Sequence, residues 1–69
     1  DLKGAKKDIE KSIKLYPGNS YAYRIRALIY IEEGKIDMAC ADLQTALDKG
    51  FTKTYGDEVN NLKKEHCDE

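Results

Sequence analysis

The sequence predicts an all-α fold built from antiparallel helix-turn-helix units, and three observations predict it. Apolar residues recur at three- and four-residue spacing in successive stretches, Gly and Pro punctuate the chain between those stretches, and the pattern repeats after 34 residues. All three point to helices packed side by side.

Leu2, Ala5, Ile9, Ile13 and Tyr16 lie on one helical face with Lys and acidic residues between them, which places an amphipathic helix over about residues 2–16. Pro17-Gly18-Asn19 stops it, because proline removes a ladder donor and Gly and Asn accept turn geometry. Asn19 or Ser20 then caps a second helix, along which Tyr21, Ile25, Leu28 and Ile31 form one line and Tyr23, Ala27 and Tyr30 another. Two such faces predict a helix buried between neighbours. Gly34 ends it, since glycine takes the left-handed C-cap conformation without steric cost.

A third helix over about residues 35–49 carries Ile36, Ala39, Cys40, Leu43, Ala46 and Leu47, with alanines where backbones approach closely, and Gly50 closes it. Thr52 or Thr54 is the expected cap of one last helix, with Asp57 and Glu58 in its first turn and Lys63, Lys64 and His66 in its last, matching the helix dipole. Only Tyr55, Val59 and Leu62 are apolar there, so one side of that helix faces water.

A chain of 69 residues holds one domain at most, and a core of that size supplies only about 3–5 kcal/mol. Charged residues at 36% and hydrophobic ones at 41% suit a globular domain with amphipathic elements. The net charge of −1 gives no field that would steer the chain to a polyanion, so nucleic acid is not an expected partner despite Tyr21, Tyr23 and Arg24. No apolar run approaches the roughly 20 residues that span a bilayer, and no secretory signal pattern is present. The sequence leaves the compartment open.

An offset of 34 aligns Leu2 with Ile36, Ala5 with Ala39, Asp8-Ile9 with Asp42-Leu43, Ser12-Ile13 with Ala46-Leu47 and Pro17 with Phe51. It then continues through Tyr21 with Tyr55, Ile25 with Val59, and Leu28 with Leu62. Two helices per period is the pattern of a helical solenoid. On these residues the chain resembles the tetratricopeptide repeat family in a bacterial form, with Tyr23 at the first aromatic position, Ala27 at the small crossing position, Tyr30 at the Tyr, and Ala39 and Leu43 at the Ala and large apolar positions. Arg26 stands where Leu is usual, similar to a Tyr-x-x-Arg-Gly variant, and Phe51 replaces the final Pro.

The resemblance implies a right-handed superhelical stack of about one and a half repeats with a terminal capping helix: residues 1–19 as the second half of a repeat, 20–53 as a complete repeat and 54–69 as the cap. It implies a protein–protein interaction module whose concave face binds a peptide or protein, with Tyr21, Arg24, Ile25, Leu28, Ile31, Tyr55 and Val59 on that face. Packing between helices is the other reading of Tyr21, Ile25 and Leu28. Members that grip a C-terminal carboxylate use Lys and Asn in the groove, and Arg24 and Leu28 do not reproduce that pair. A purely structural C-terminal cap of a longer repeat protein is the alternative function.

In a stack of this family the end of the last helix lies beside the start of the third, and bacterial members look similar in carrying one Cys at each place. The resemblance therefore allows a disulfide between Cys40 and Cys67, against the alternative of two buried or reduced thiols. A bond would go with an exported setting and free thiols with a cytoplasmic one. His66 beside Cys67 does not make a zinc site or a catalytic pair, because helix neighbours face about 100° apart and no orienting partner is evident. No metal, cofactor or catalysis is expected. The first helix leaves Leu2, Ala5, Ile9 and Ile13 partly uncovered, so a homodimer across that N-terminal edge is expected for the isolated chain.

Overall fold

A computed structural model describes residues 1–67, and within them the chain forms five helices: α1 (Leu2–Leu15), α2 (Ser20–Glu32), α3 (Ile36–Asp48), α4 (Phe51–Tyr55) and α5 (Glu58–His66). The fold is all-α. The Asp1 carboxylate accepts the Lys3 backbone N–H at 3.0 Å to start α1, and the Asn19 side chain accepts those of Tyr21 and Ala22 to start α2. At the far end of α2, Gly34 adopts φ +79°, which lets its N–H reach the Ile31 carbonyl and the Lys35 N–H reach that of Tyr30. This paired C-cap turns the chain back within three residues and sets α3 antiparallel to α2.

The expected single terminal helix is two helices. Gly56 sits at φ +99° and ψ −158°, a conformation that a helix cannot pass through, and it separates α4 from α5. Thr52 and Thr54 are therefore inside or at the edge of α4, and neither caps the last helix; Asp57 precedes α5 with Glu58 in its first turn. The Asn60 amide donates to the Thr52 hydroxyl at 3.1 Å and ties the two pieces together. The expected span of 54–69 reaches beyond the described residues at 68 and 69.

The core lies on the α2–α3 hairpin. Ala27, Tyr30, Ala39, Leu43, Ala46, Phe51 and Val59 form one buried cluster, and the three alanines in it are fully inaccessible. Small side chains there bring the two helix backbones close, and Phe51 and Val59 from α4 and α5 close the remaining side of α3. By contrast α1 contributes no buried residue, and its Leu15 and Tyr16 end is exposed.

A buried ion pair crosses the hairpin. Arg26 donates through Nε to Asp42 Oδ2 at 2.7 Å and through Nη2 to Oδ1 at 2.9 Å, with Asp42 only 5% exposed. The guanidinium lies near the rings of Tyr23 and Tyr30, and its hydrogen bond to Asp42 raises its pKa further above the ordinary range. The bidentate fork satisfies both carboxylate oxygens, which is the condition under which a buried pair is tolerated. Asp42→Ala leaves the guanidinium half-enclosed without its partner and is expected to lower stability by about 2–3 kcal/mol, read from urea unfolding; Arg26→Met with Asp42→Leu, which removes both charges, is expected to cost less than the single change.

Cys40 and Cys67 are joined by a disulfide that binds the start of α3 to the end of α5 across 27 residues. Closing a loop of that length removes unfolded-state entropy worth about 3.5 kcal/mol by chain-entropy arithmetic. Lys6 and Glu33 are also 27 apart, and they join α1 to the end of α2 through contacts of 3.0 and 3.1 Å. Each member of this ionic clip stands 34 residues before its counterpart in the disulfide. Reduction is expected to lower the melting temperature by well over 10 °C, since a 1 kcal/mol loss moves a domain of this size by roughly 4–8 °C; Lys6→Ala, which removes a solvent-screened pair, is expected to move it by only a few degrees.

Candidate interaction surface

The face expected to bind a partner divides in two. At one end Tyr21 and Tyr55, 41% and 53% exposed, stand with ring centroids 5.4 Å apart, and Tyr55 in turn rests on the buried ring of Phe51 at 4.9 Å. Gly56 makes this possible: by ending α4 directly after Tyr55 it leaves that side chain on the shoulder of the molecule and keeps it out of the packed part of α5. The pair is tilted by 47°, within the range that aromatic side chains prefer.

Arg24 borders these rings. Its guanidinium lies 5.2 Å from the Tyr21 centroid, and Nη2 donates to Glu58 Oε2 at 2.6 Å, which raises the Arg24 pKa chiefly through that hydrogen bond. The charge is thus already matched by α5. Glu58 is nearly half exposed, however, so the pair is solvent-screened and exchangeable, and the buried Arg24 Nε has no hydrogen-bond partner among the described residues. One donor of the fork is left over. The sequence places Glu58 only in the first turn of the last helix and not on this face, yet it is the position 34 residues after Arg24, so the repeat itself held the signal.

At the other end Ile25 and Leu28 are half-buried and line an open groove of about 400 Å³ between α2 and α1. Leu2 and Ala5 form its opposite wall and Glu32 its charged margin. None of these three is implied by the concave-face resemblance. The apolar spacing of α1 carries Leu2 and Ala5, which is the signal that finds them.

Two expected members of the face belong elsewhere. Val59 is fully buried in the core cluster and presents no surface, because α5 has few apolar residues and uses this one to hold itself on the body. Ile31 packs against the same cluster: it follows Ala27 by four residues and so shares the core-facing side of α2. The structure therefore brings Tyr21, Arg24 and Tyr55 together, and Ile25 and Leu28 together, with Arg24 at the boundary of both.

Cys40 and Cys67 are spent on their disulfide, so neither is a thiol nucleophile in this state, and His66 has only its chain neighbour Glu65 at 3.9 Å among the ion pairs of the described residues. No helix of the described residues is long and apolar enough to cross a membrane. Compared with protein-family models, with curated proteins and with solved structures, the chain matches none. The likeness to tetratricopeptide repeats accordingly rests on residues and spacing within this chain.

Proposed function

We propose that this chain is a protein–protein interaction module of tetratricopeptide-like type that holds a peptide or protein segment against α2 and α4 without chemistry of its own. The observation that carries this reading is the exposed Tyr21–Tyr55 pair bordered by Arg24. Tyrosine and arginine supply much of the binding energy at protein interfaces, because each buries large area while keeping a polar tip that can be satisfied. Here two rings give a platform for an apolar or aromatic side chain, and Arg24 gives a fork for a carboxylate or a backbone carbonyl that competes with Glu58. The disulfide suits work in an oxidising compartment.

A structural-cap role is the second reading, and one observation favours it. Asn60, Asn61 and Lys64 are exposed on α5 where the period puts Arg26, Ala27 and Tyr30 on α2, so that side of α5 is built to meet water. Affinity capture with the intact chain, followed by Arg24→Glu and Tyr55→Ala, separates the two. Loss of at least tenfold in affinity for one partner with unchanged helicity supports the interaction module, a change within reach of a single interface hot spot. Full retention of every partner by both variants supports the cap.

A further inference from the structure

The net charge of −1 conceals a segregation of charge along the chain. Five of the twelve basic residues lie in α1, against only Asp8 and Glu10 as acids within that helix, whereas acids outnumber bases from α2 onward. Lys3, Lys7, Lys11 and Lys14 follow one another at four-, four- and three-residue spacing, so they form a single stripe along α1, about 16 Å long at the helical rise. All four are exposed, and none of their ammonium groups takes part in an ion pair among the described residues. Neither Asp8 nor Glu10 is paired with them. Lys6, the fifth lysine, lies on another side of the helix and is engaged by Glu33.

The stripe occupies the outward side of α1. Its counterparts 34 residues on are Asp37, Ala41, Thr45 and Asp48, and Asp37, Ala41 and Asp48 are exposed although α3 packs against α2, α4 and α5. This side of a helix in the stack therefore meets solvent even where neighbours enclose the rest of it. Nor does the position call for lysine, since α3 meets water there with two acids, an alanine and a threonine. The cations are particular to α1. The stripe also ends on apolar residues: Leu15 follows Lys11 by four residues and so sits beside it, and Tyr16 follows at the C-cap. At 62% and 66% they are the most exposed large hydrophobics of the described residues, and Lys49, the counterpart of Leu15, is exposed as well.

We propose that the outward face of α1 docks on an anionic lipid bilayer, with the four lysines over the headgroups and Leu15 and Tyr16 entering the interface. Charge complementarity carries the first half: each unpaired ammonium gains attraction to a negatively charged surface, and laterally mobile lipids supply an anion to every position along the stripe. The exposed apolar pair carries the second half and selects a bilayer over a nucleic acid. A phosphate backbone does not reward Leu15, whereas the acyl boundary does, and Tyr16 brings a ring with a hydroxyl of the kind that sits at headgroup level. Asp37 and Asp48 are repelled by the same surface, so the chain approaches with α1 and keeps the outward face of α3 away.

This inference is independent of the aromatic face proposed above, whose residues lie on α2 and α4. Cosedimentation of the oxidised, full chain with vesicles of equal parts phosphatidylcholine and phosphatidylglycerol tests it, with vesicles of phosphatidylcholine alone as the reference. Binding is expected to the anionic vesicles only, and it is expected to fall as salt is raised, because screening shortens the reach of each lysine. Lys7→Gln with Lys11→Gln is expected to lower the partition coefficient about 25-fold, or roughly fivefold per lysine. Leu15→Ser with Tyr16→Ser is expected to lower it several-fold while leaving its salt dependence in place. All four positions are exposed, and an unchanged circular dichroism spectrum checks that each variant folds. Tyr55→Ala is expected to leave vesicle binding unchanged, which keeps this result separate from the fate of the aromatic face. The proposal is overturned by equal binding to both kinds of vesicle, or by no binding at millimolar lipid and low salt. Full affinity in either double variant overturns it too. Binding of a short RNA duplex that the lysine variant loses and the Leu15 and Tyr16 variant keeps, without vesicle binding, would assign the stripe to a nucleic acid instead.

Discussion

The close approach of α2 to α3 governs the rest of this structure. Ala27, Ala39 and Ala46 are fully inaccessible, and a larger side chain at any of them would push the hairpin apart. The larger members of the cluster pack around these alanines, Tyr30 and Leu43 from the hairpin itself and Phe51 and Val59 from α4 and α5. They also bring Arg26 within bidentate reach of Asp42. A pair so enclosed contributes little net stability compared with an apolar replacement, but it fixes how the two helices register along their axes. Packing brings the helices together, and the ion pair selects one sliding position.

Elements that join the hairpin are held by fasteners of decreasing dependence on solvent exclusion. On one side α5 has only Val59 and Leu62 to bury against the body, and the disulfide compensates for that small apolar area. On the other side α1 has more apolar residues but none of them is fully buried, and an ionic clip holds it at the equivalent place. The lysine of that clip has its pKa raised, first by the hydrogen bond it donates to Glu33, so its contribution is present below the ordinary lysine value of 10.5 and lost as pH rises through the higher folded one. At neutral pH the ionic clip is therefore closed.

How much of this was legible in the sequence depends on which periodicity was involved. The three-to-four spacing gave α1, α2 and α3 nearly to the residue, because each is bounded by Asn19, Gly34 or Gly50 acting through local backbone geometry. The same spacing ran unbroken through Tyr55, Val59 and Leu62, yet Gly56 interrupts the helix there. A glycine immediately before the acidic pair Asp57-Glu58 reads equally as helix interior or as break, and the packing of Phe51 into the core decides it. The misplacement of Val59 has a related cause. Period alignment transfers a position from one helix to the next but not its neighbours, and Ile25 and Val59 differ only in whether a helix lies over them. The Arg26–Asp42 pair was readable in principle, since Asp8 and Asp42 are an acidic residue repeated on a face that is otherwise apolar.

The difference in cover between Ile25 and Val59 extends to the helices beside them, α1 and α3. A helix that buries none of its residues is held less firmly than one enclosed by its neighbours. The edge formed by α1 has that character: its apolar residues are in place, its carboxylate is unmatched, and its attachment to the body is an ionic clip and a half-covered interface. The aromatic face at Tyr21 and Tyr55 differs in kind, because its rings rest on the rigid core through Phe51 and are organised before any partner arrives. Of the two surfaces that meet at Arg24, the aromatic platform is thus preformed, whereas the groove between α1 and α2 depends on how firmly α1 is held.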